Sequence, residues 1–370
     1  MTYCLSLSRK EGDRMPEFVY TENKKSQIFL NDFGIEIPII GLPGFGWGTP
    51  ELTAAVSNAG GLGVLNVGFM NEDEIEKSVA AVRKLTDRPF AAMLFPPKKT
   101  LLDNRKLKLL NMALSPLRED LGLETSAETL QLPDFDRQFK KIIDLRVPAV
   151  GLRLGGLREP YMEELERCCM PVFGLASNLR DAKVLVSSGV KAVVAVSWAE
   201  GGLLSYEEVP AYGAEVDSLA LWSECARALK VPVIAAGSVM TEAHAEAAKL
   251  FGCAGLMLTD ALLCADESPL PEAWRTKLRY TTDASTEMSS VYLGRPSRFL
   301  ANGLSRTIQE NELPVLDFPF QYFALRDIFD SALKQNRIDL AYLEIGQNAF
   351  RAQSLPVRSI VETFTDYWKR

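Results

Sequence analysis

The chain of 370 residues carries one histidine, His244. That scarcity excludes a histidine-rich metal site, and a serine–histidine–aspartate triad would have to recruit this single residue. His244 stands in TEAHAEAAK, an alanine-rich helix start, and reads as a helix-surface or partly packed side chain. Six cysteines (Cys4, Cys168, Cys169, Cys225, Cys253, Cys264) show no CxxC spacing. They read as buried free thiols of a reducing compartment rather than a disulfide framework, and no metal is expected. No apolar run is long enough to span a bilayer, and MTYCLSLSRKEGDR has no basic region ahead of a signal-length apolar stretch. A cytoplasmic protein without a membrane partner is the expectation. Positive charge is in deficit: 41 Lys and Arg face 48 Asp and Glu, a formal net charge of -7. No overall basic field therefore favours nucleic acid, and the expected partner is a small-molecule substrate. Homodimer formation stays open.

Short apolar runs are abundant. They are IPIIG (37–41), LGVLNV (62–67), PFAAML (89–94), VPAVGL (147–152), MPVFGL (170–175), VKAVVAV (190–196), VPVIAA (231–236) and AGLMLT (254–259). Each is nearly unbroken in hydrophobicity, as expected of a parallel strand covered on both faces. Helix-compatible segments alternate with them. Thr49-Pro50-Glu51 has an N-cap followed by Pro at the first helical position, and Gly60, Gly189 and Gly252 stand where helices should stop. Eight strands alternating with helices predict an α/β fold, a (β/α)8 TIM barrel over residues 30–278, with a doubly wound sheet as the rival. An insertion over about residues 95–146 contains KKTLLDNRKLKLLNMAL, read as an amphipathic helix on the barrel exterior. Residues 279–370 read as a helical extension packed on the barrel.

In such a barrel the working face lies at the C-terminal strand ends. Arg153 is the fixed cation there, Glu200 and Asp260 are acids, and Ser197, Ser238 and Thr259 offer hydroxyls. AAGSVMTEAH places Gly237-Ser238 between a strand and a helix start, the form of a phosphate-binding turn. Few acid–base groups and no metal cluster suggest that a cofactor carries the reaction.

With the strands placed, the sequence resembles the nitronate monooxygenase (2-nitropropane dioxygenase) family, FMN-dependent barrels related to enoyl-acyl-carrier-protein reductase II. The resemblance is carried by IPIIGLPGFGWGTPELTAAVSNAGGLGVLNVG (37–68), VPVIAAGSVMTEAHAEAAKLFGCAGLMLTDALL, GRPSRFLANGL and YLEIGQNAFRAQSLP. It implies an FMN whose phosphate lies near Gly237, Ser238 and Thr259, with the flavin approached by Pro43, Gly44, Gly201 and Gly202 and by Met93 at the end of the third strand. Trp47 would cover the flavin or fill its place. Departures fall on the same face. Where the family reads EAGGH this chain reads AEGGL, so Leu203 replaces the active-site histidine. Val196 and Met93 replace polar residues. Gly41 and Gly44 replace the Gln and Met of QxPM, and GTR becomes Leu258-Thr259-Asp260. An aspartate there would repel a phosphate if it pointed inward. The resemblance implies an oxidoreductase for a small anionic or nitro-type substrate, with Arg153 orienting it. The alternatives are an enoyl-thioester reductase using NAD(P)H and an acyl-carrier protein, or a catalytically degenerate barrel acting as a binding partner.

Overall fold

A computed structural model describes residues 24–124, 130–209 and 215–369. Eight strands close into a parallel barrel: β1 (Ile39–Gly41), β2 (Leu62–Asn66), β3 (Phe90–Leu94), β4 (Ala149–Leu152), β5 (Val172–Ala176), β6 (Ala192–Val196), then β8 (Val233–Ala236) and β9 (Gly255–Leu258). β1 pairs with both β2 and β9, which closes the ring and excludes the open doubly wound sheet. Each of the eight apolar runs supplies one barrel strand. Their hydrophobicity is unbroken because both faces are covered: alternate residues fill the interior, and the others meet the helices.

The helices start and stop as local chemistry requires. Thr49 caps α2 (Pro50–Asn58) by accepting from the Leu52 amide, and Asn71 and Glu74 form a capping box on α3 (Glu72–Leu85). Gly60, Gly189 and Gly252 take the left-handed conformation just past helix ends. The N-terminal α1 (Lys24–Phe33) begins ahead of the expected boundary at residue 30. It buries Phe29 and Phe33 against the barrel interior, where Phe33 meets the Phe173 ring at 5.9 Å.

The insertion forms α4 (Asn104–Asp120) and α5 (Phe135–Asp144). α5 packs on α3, in the place of an ordinary barrel helix. α4 is the amphipathic helix expected, and its inner face carries Leu107, Leu110, Leu114 and Arg118. Part of the polar link after it lies outside the described residues.

The C-terminal extension is not purely helical. Strands β10 (Thr286–Ser289) and β11 (Ser297–Leu300) pair antiparallel, and β11 also pairs with β7 (Gly202–Leu203), which leaves the barrel after β6. The extension is thereby sewn onto the C-terminal mouth of the barrel, and α12 (Phe320–Lys334) lies against α4. Among the cysteines, Cys225, Cys253 and Cys264 are buried, whereas Cys168 and Cys169 are exposed, contrary to the expectation of burial. Cys168 caps the C-terminal end of α6 (Glu159–Arg167), and Cys169 follows it in the turn before β5; neither position faces the core. Cys4 lies outside the described residues. No described helix is long and apolar enough to cross a membrane.

Candidate functional site

Residues pointing into the barrel along β4 are Ala149 and Gly151, so Arg153 is the next to turn inward. It reaches the mouth from inside and is only 3% exposed. Its Nη2 donates to the Leu203 carbonyl, and its Nε has no partner. Burial pulls the guanidinium below its ordinary range, opposed by Glu344, Tyr342 and Glu200. Below it the interior is apolar. Met93 sits there, its terminal methyl beside Gly151, among Leu42, Leu175 and Val196. Met93 therefore packs the barrel interior.

Across the mouth runs a strap, residues 341–348. Glu344 lies at its centre, 1% exposed. Its Oε2 accepts from the Phe45 amide at 2.9 Å and its Oε1 from the Tyr342 hydroxyl at 2.5 Å. Burial pushes the Glu344 carboxyl up, while Arg153 and these donors hold it down.

The glycines expected to approach a flavin approach this strap instead. A Cβ on Gly202, whose φ is +83°, would stand 2.7 Å from the Glu344 carboxylate, and one on Gly201 would stand 2.7 Å from the Ile345 carbonyl carbon. A Cβ on Gly44 would meet Trp47 Nε1 at 2.6 Å and Glu344 Oε2 at 2.9 Å. Trp47 is itself buried, its Nε1 beside Gly44. Pro43 is held by its carbonyl, which accepts from the Asn66 side-chain amide.

The turn after β8 has the conformation of an anion cradle, but the chain supplies its own anions. Ser238 has φ +57°, and its amide donates to Glu200 Oε2 at 2.9 Å. Its hydroxyl donates to Asp260 Oδ2 and accepts from the Asn348 amide at 2.9 Å. The Gly346 amide donates to Asp260 Oδ1 at 2.9 Å. Gly237 gives its space to the Ser197 and Ser218 hydroxyls, which would lie 2.3 and 2.6 Å from an added Cβ.

Burial raises Glu200 to about 8, with the Asp260 charge adding to the rise and the Ser238 amide opposing it. Burial likewise raises Asp260 to about 6 against the pull of Ser238, Gly346 and Arg298. Thr259 lies close enough to ease the Glu200 charge, yet its hydroxyl and Glu200 Oε1 both lack a partner of hydrogen-bonding geometry. Arg298 stacks 4.7 Å over Trp198 and donates to its carbonyl.

The mouth thus brings together Pro43, Gly44, Arg153, Gly201, Gly202, Gly237, Ser238 and Thr259, and leaves Met93 inside the barrel. The assembly closes on itself. FMN does not fit it. The Ser238 amide and hydroxyl, which would serve a phosphate, are taken by Glu200 and Asp260, and the space beside Gly201 and Gly202 belongs to Glu344 and Ile345. As folded, these residues surround the strap and the Glu200 and Asp260 side chains.

Residues 342, 344, 346 and 348 were not legible as site residues, because a segment near the C-terminus reads as part of an extension. The signals were a lone Glu inside the apolar run AYLEIG and the resemblance carried by YLEIGQNAFRAQSLP, which named no site residue there. His244 plays no part at the mouth: half-buried, its Nδ1 accepts from the Met240 amide at 3.1 Å beside the start of α9 (Glu242–Leu250).

Comparison with known proteins agrees with the fold. The nitronate monooxygenase family matches residues 27–366. The nitronate monooxygenase of Pseudomonas aeruginosa is 29% identical over 343 residues, covering 91% of this chain and 98% of that protein. Among solved structures, the nitroalkane oxidase from Streptomyces ansochromogenes superposes with a TM-score of 0.82 at 25% identity, over 92% of this chain and 98% of the other. FabK from Thermotoga maritima superposes with a TM-score of 0.72 at 25% identity, over 92% and 95%.

Proposed function

The chain belongs to the nitronate monooxygenase family, a family of flavin-dependent oxidoreductases, and from that premise we propose that it oxidises a small nitro-type anion at the C-terminal mouth of its barrel, once the closed mouth has opened. The observation that carries this reading is Arg153. It is a buried cation aimed at the mouth with Nε unpartnered, the group needed to orient a planar two-oxygen anion.

Leu203, fully buried where the family resemblance implies a histidine, decides the substrate's state. A neutral nitroalkane must lose a proton from carbon, and an alkyl side chain cannot take it. Such general-base help is worth about 10²–10⁴-fold. An anion already ionised needs no such step. Reduction of an enoyl thioester would need a proton delivered at Cα, and Leu203 cannot give one. In the family a flavin supplies the redox chemistry, and FMN does not fit the closed mouth. The chain's own residues have two roles: Arg153 orients the anion, and the apolar interior behind it excludes water.

Oxygen consumption with FMN supplied tests the reading. The pre-ionised nitronate of a simple nitroalkane should react about 10²-fold faster than the neutral compound. Equal rates with the two forms, or no reaction with the nitronate, would sink it.

A further inference from the structure

We infer that the chain carries a built-in occupant of its own cofactor cradle: the strap 341–348 takes the place of the flavin, and the Glu200 and Asp260 side chains take the place of its phosphate. This inference rests on the proposed function and concerns how that site admits its cofactor.

Three features converge on it. The first is donor geometry. The Ser238 amide donates to Glu200 Oε2 at 2.9 Å, the distance a phosphate oxygen would take, and the Ser238 hydroxyl donates to Asp260 Oδ2. The Gly346 amide of the strap holds the other oxygen of Asp260 at 2.9 Å. The second is space. Gly201 and Gly202 leave no room for even a methyl group, because Ile345, Gly346 and Glu344 already lie within 3 Å of where it would be. The third is anchoring. The strap is tied at several points: Asn348 to Ser238 through both its backbone amide and its side chain, Gln347 N to the Ala199 carbonyl at 3.0 Å, and Glu344 to Phe45.

The closure is imperfect in an informative way. Trp47 Nε1, Arg153 Nε, Glu200 Oε1 and Thr259 Oγ1 are buried without partners. An internal occupant satisfies the cradle's amides but not these side chains, so the closed mouth keeps a store of unmet polar groups that an incoming ligand can satisfy. A flavin phosphate must displace both acids from their donors, and the Asp260 charge opposes a dianion. Flavin without the phosphate meets the strap alone.

The test is an equilibrium titration with FMN and with riboflavin, followed by flavin fluorescence, on the full-length protein and on a Glu200→Ala/Asp260→Asn variant. Circular dichroism and thermal melting establish that the variant is folded. The variant should bind FMN at least about tenfold more tightly than the parent, with a smaller gain for riboflavin. If the parent purifies with stoichiometric FMN, or binds it as tightly as the variant, the inference is overturned. A folded variant that gains no affinity for FMN overturns it equally. Turnover is read separately: a variant that binds FMN and fails to oxidise nitronate sinks the functional reading and leaves this inference standing.

Discussion

The Glu200 carboxylate accepts the Ser238 amide at 2.9 Å, so an acid of the loop after β6 is bound where the loop after β8 presents its anion-binding donor. One hydrogen bond thus joins the loop that the resemblance assigns to a phosphate with the loop it assigns to the flavin. It also places two ionisable acids, Glu200 and Asp260, in the same water-free turn around Ser238.

That pair makes stability depend on pH. The Glu200 carboxyl is raised from 4.5 to about 8 in the folded chain. Between those values the native state keeps a proton that the unfolded chain has released, so the contribution is complete below the unfolded value and is lost as pH rises through the folded one. Asp260 acts with the same sign between 3.8 and about 6. The two titrate as a pair. The melting temperature should be higher near about pH 5.5 than near about pH 8.5. Glu200→Gln, which keeps the shape and cannot ionise, should shrink that difference; an unchanged difference counts against a buried, protonated Glu200.

The Tyr342 hydroxyl is one of the donors on the buried Glu344 carboxylate. Tyr342→Phe removes it with little change of shape and leaves Oε1 short of a partner. The expected cost is about 1–3 kcal/mol, read as a lowered urea midpoint with unchanged slope.

Gly202 and Gly122 both take positive φ, +83° and +68°, but only Gly202 faces Glu344, while a Cβ on Gly122 would meet nothing within 4 Å. Gly122→Ala should cost about 1 kcal/mol of left-handed strain. Gly202→Ala adds overpacking against the carboxylate and should cost about 3 kcal/mol. Equal melting temperatures for the two variants would contradict a strap seated on β7.

Arg118 ties the insertion to the C-terminal extension. It is 1% exposed, donates from Nε to Asp327 Oδ2 at 2.7 Å, and donates to the Ala324 carbonyl. Asp327→Ala leaves a buried guanidinium without its counter-ion and should lower unfolding free energy by about 1–3 kcal/mol. This is below the full penalty for a lone buried charge, because the Asp327 side chain is 33% exposed and water can replace it.

In the FMN-loaded Glu200→Ala/Asp260→Asn protein, adding Arg153→Met should raise KM for nitronate by about tenfold, because a bidentate charged contact is lost. Steady-state kinetics over a range of nitronate concentrations checks it, and an unaltered KM removes Arg153 from substrate orientation.

Much of the fold was written locally. The eight barrel strands follow from eight short runs without polar interruption, and the helix starts follow from caps such as Thr49-Pro50 and Asn71 with Glu74. Asp260, expected from the sequence to repel a phosphate if it pointed inward, does point inward, bound to Ser238 and Gly346. The extension was less legible. β10 and β11 are only four residues each, and β11, though buried, is defined by a pairing with β7 that no local pattern records.

By itself the sequence determined the barrel and the positions of its loops, because strand and helix formation rest on hydrophobic period and capping within a few residues of each site. Only the tertiary structure decided what fills the mouth. Glu344 meets Phe45 across 299 positions and Asn348 meets Ser238 across 110, and contacts at such separations leave no periodicity to read. Glycines that make room for a ligand and glycines that make room for the chain's own strap look the same in one dimension. The difference lies in which atoms arrive beside them when the extension folds back over the barrel.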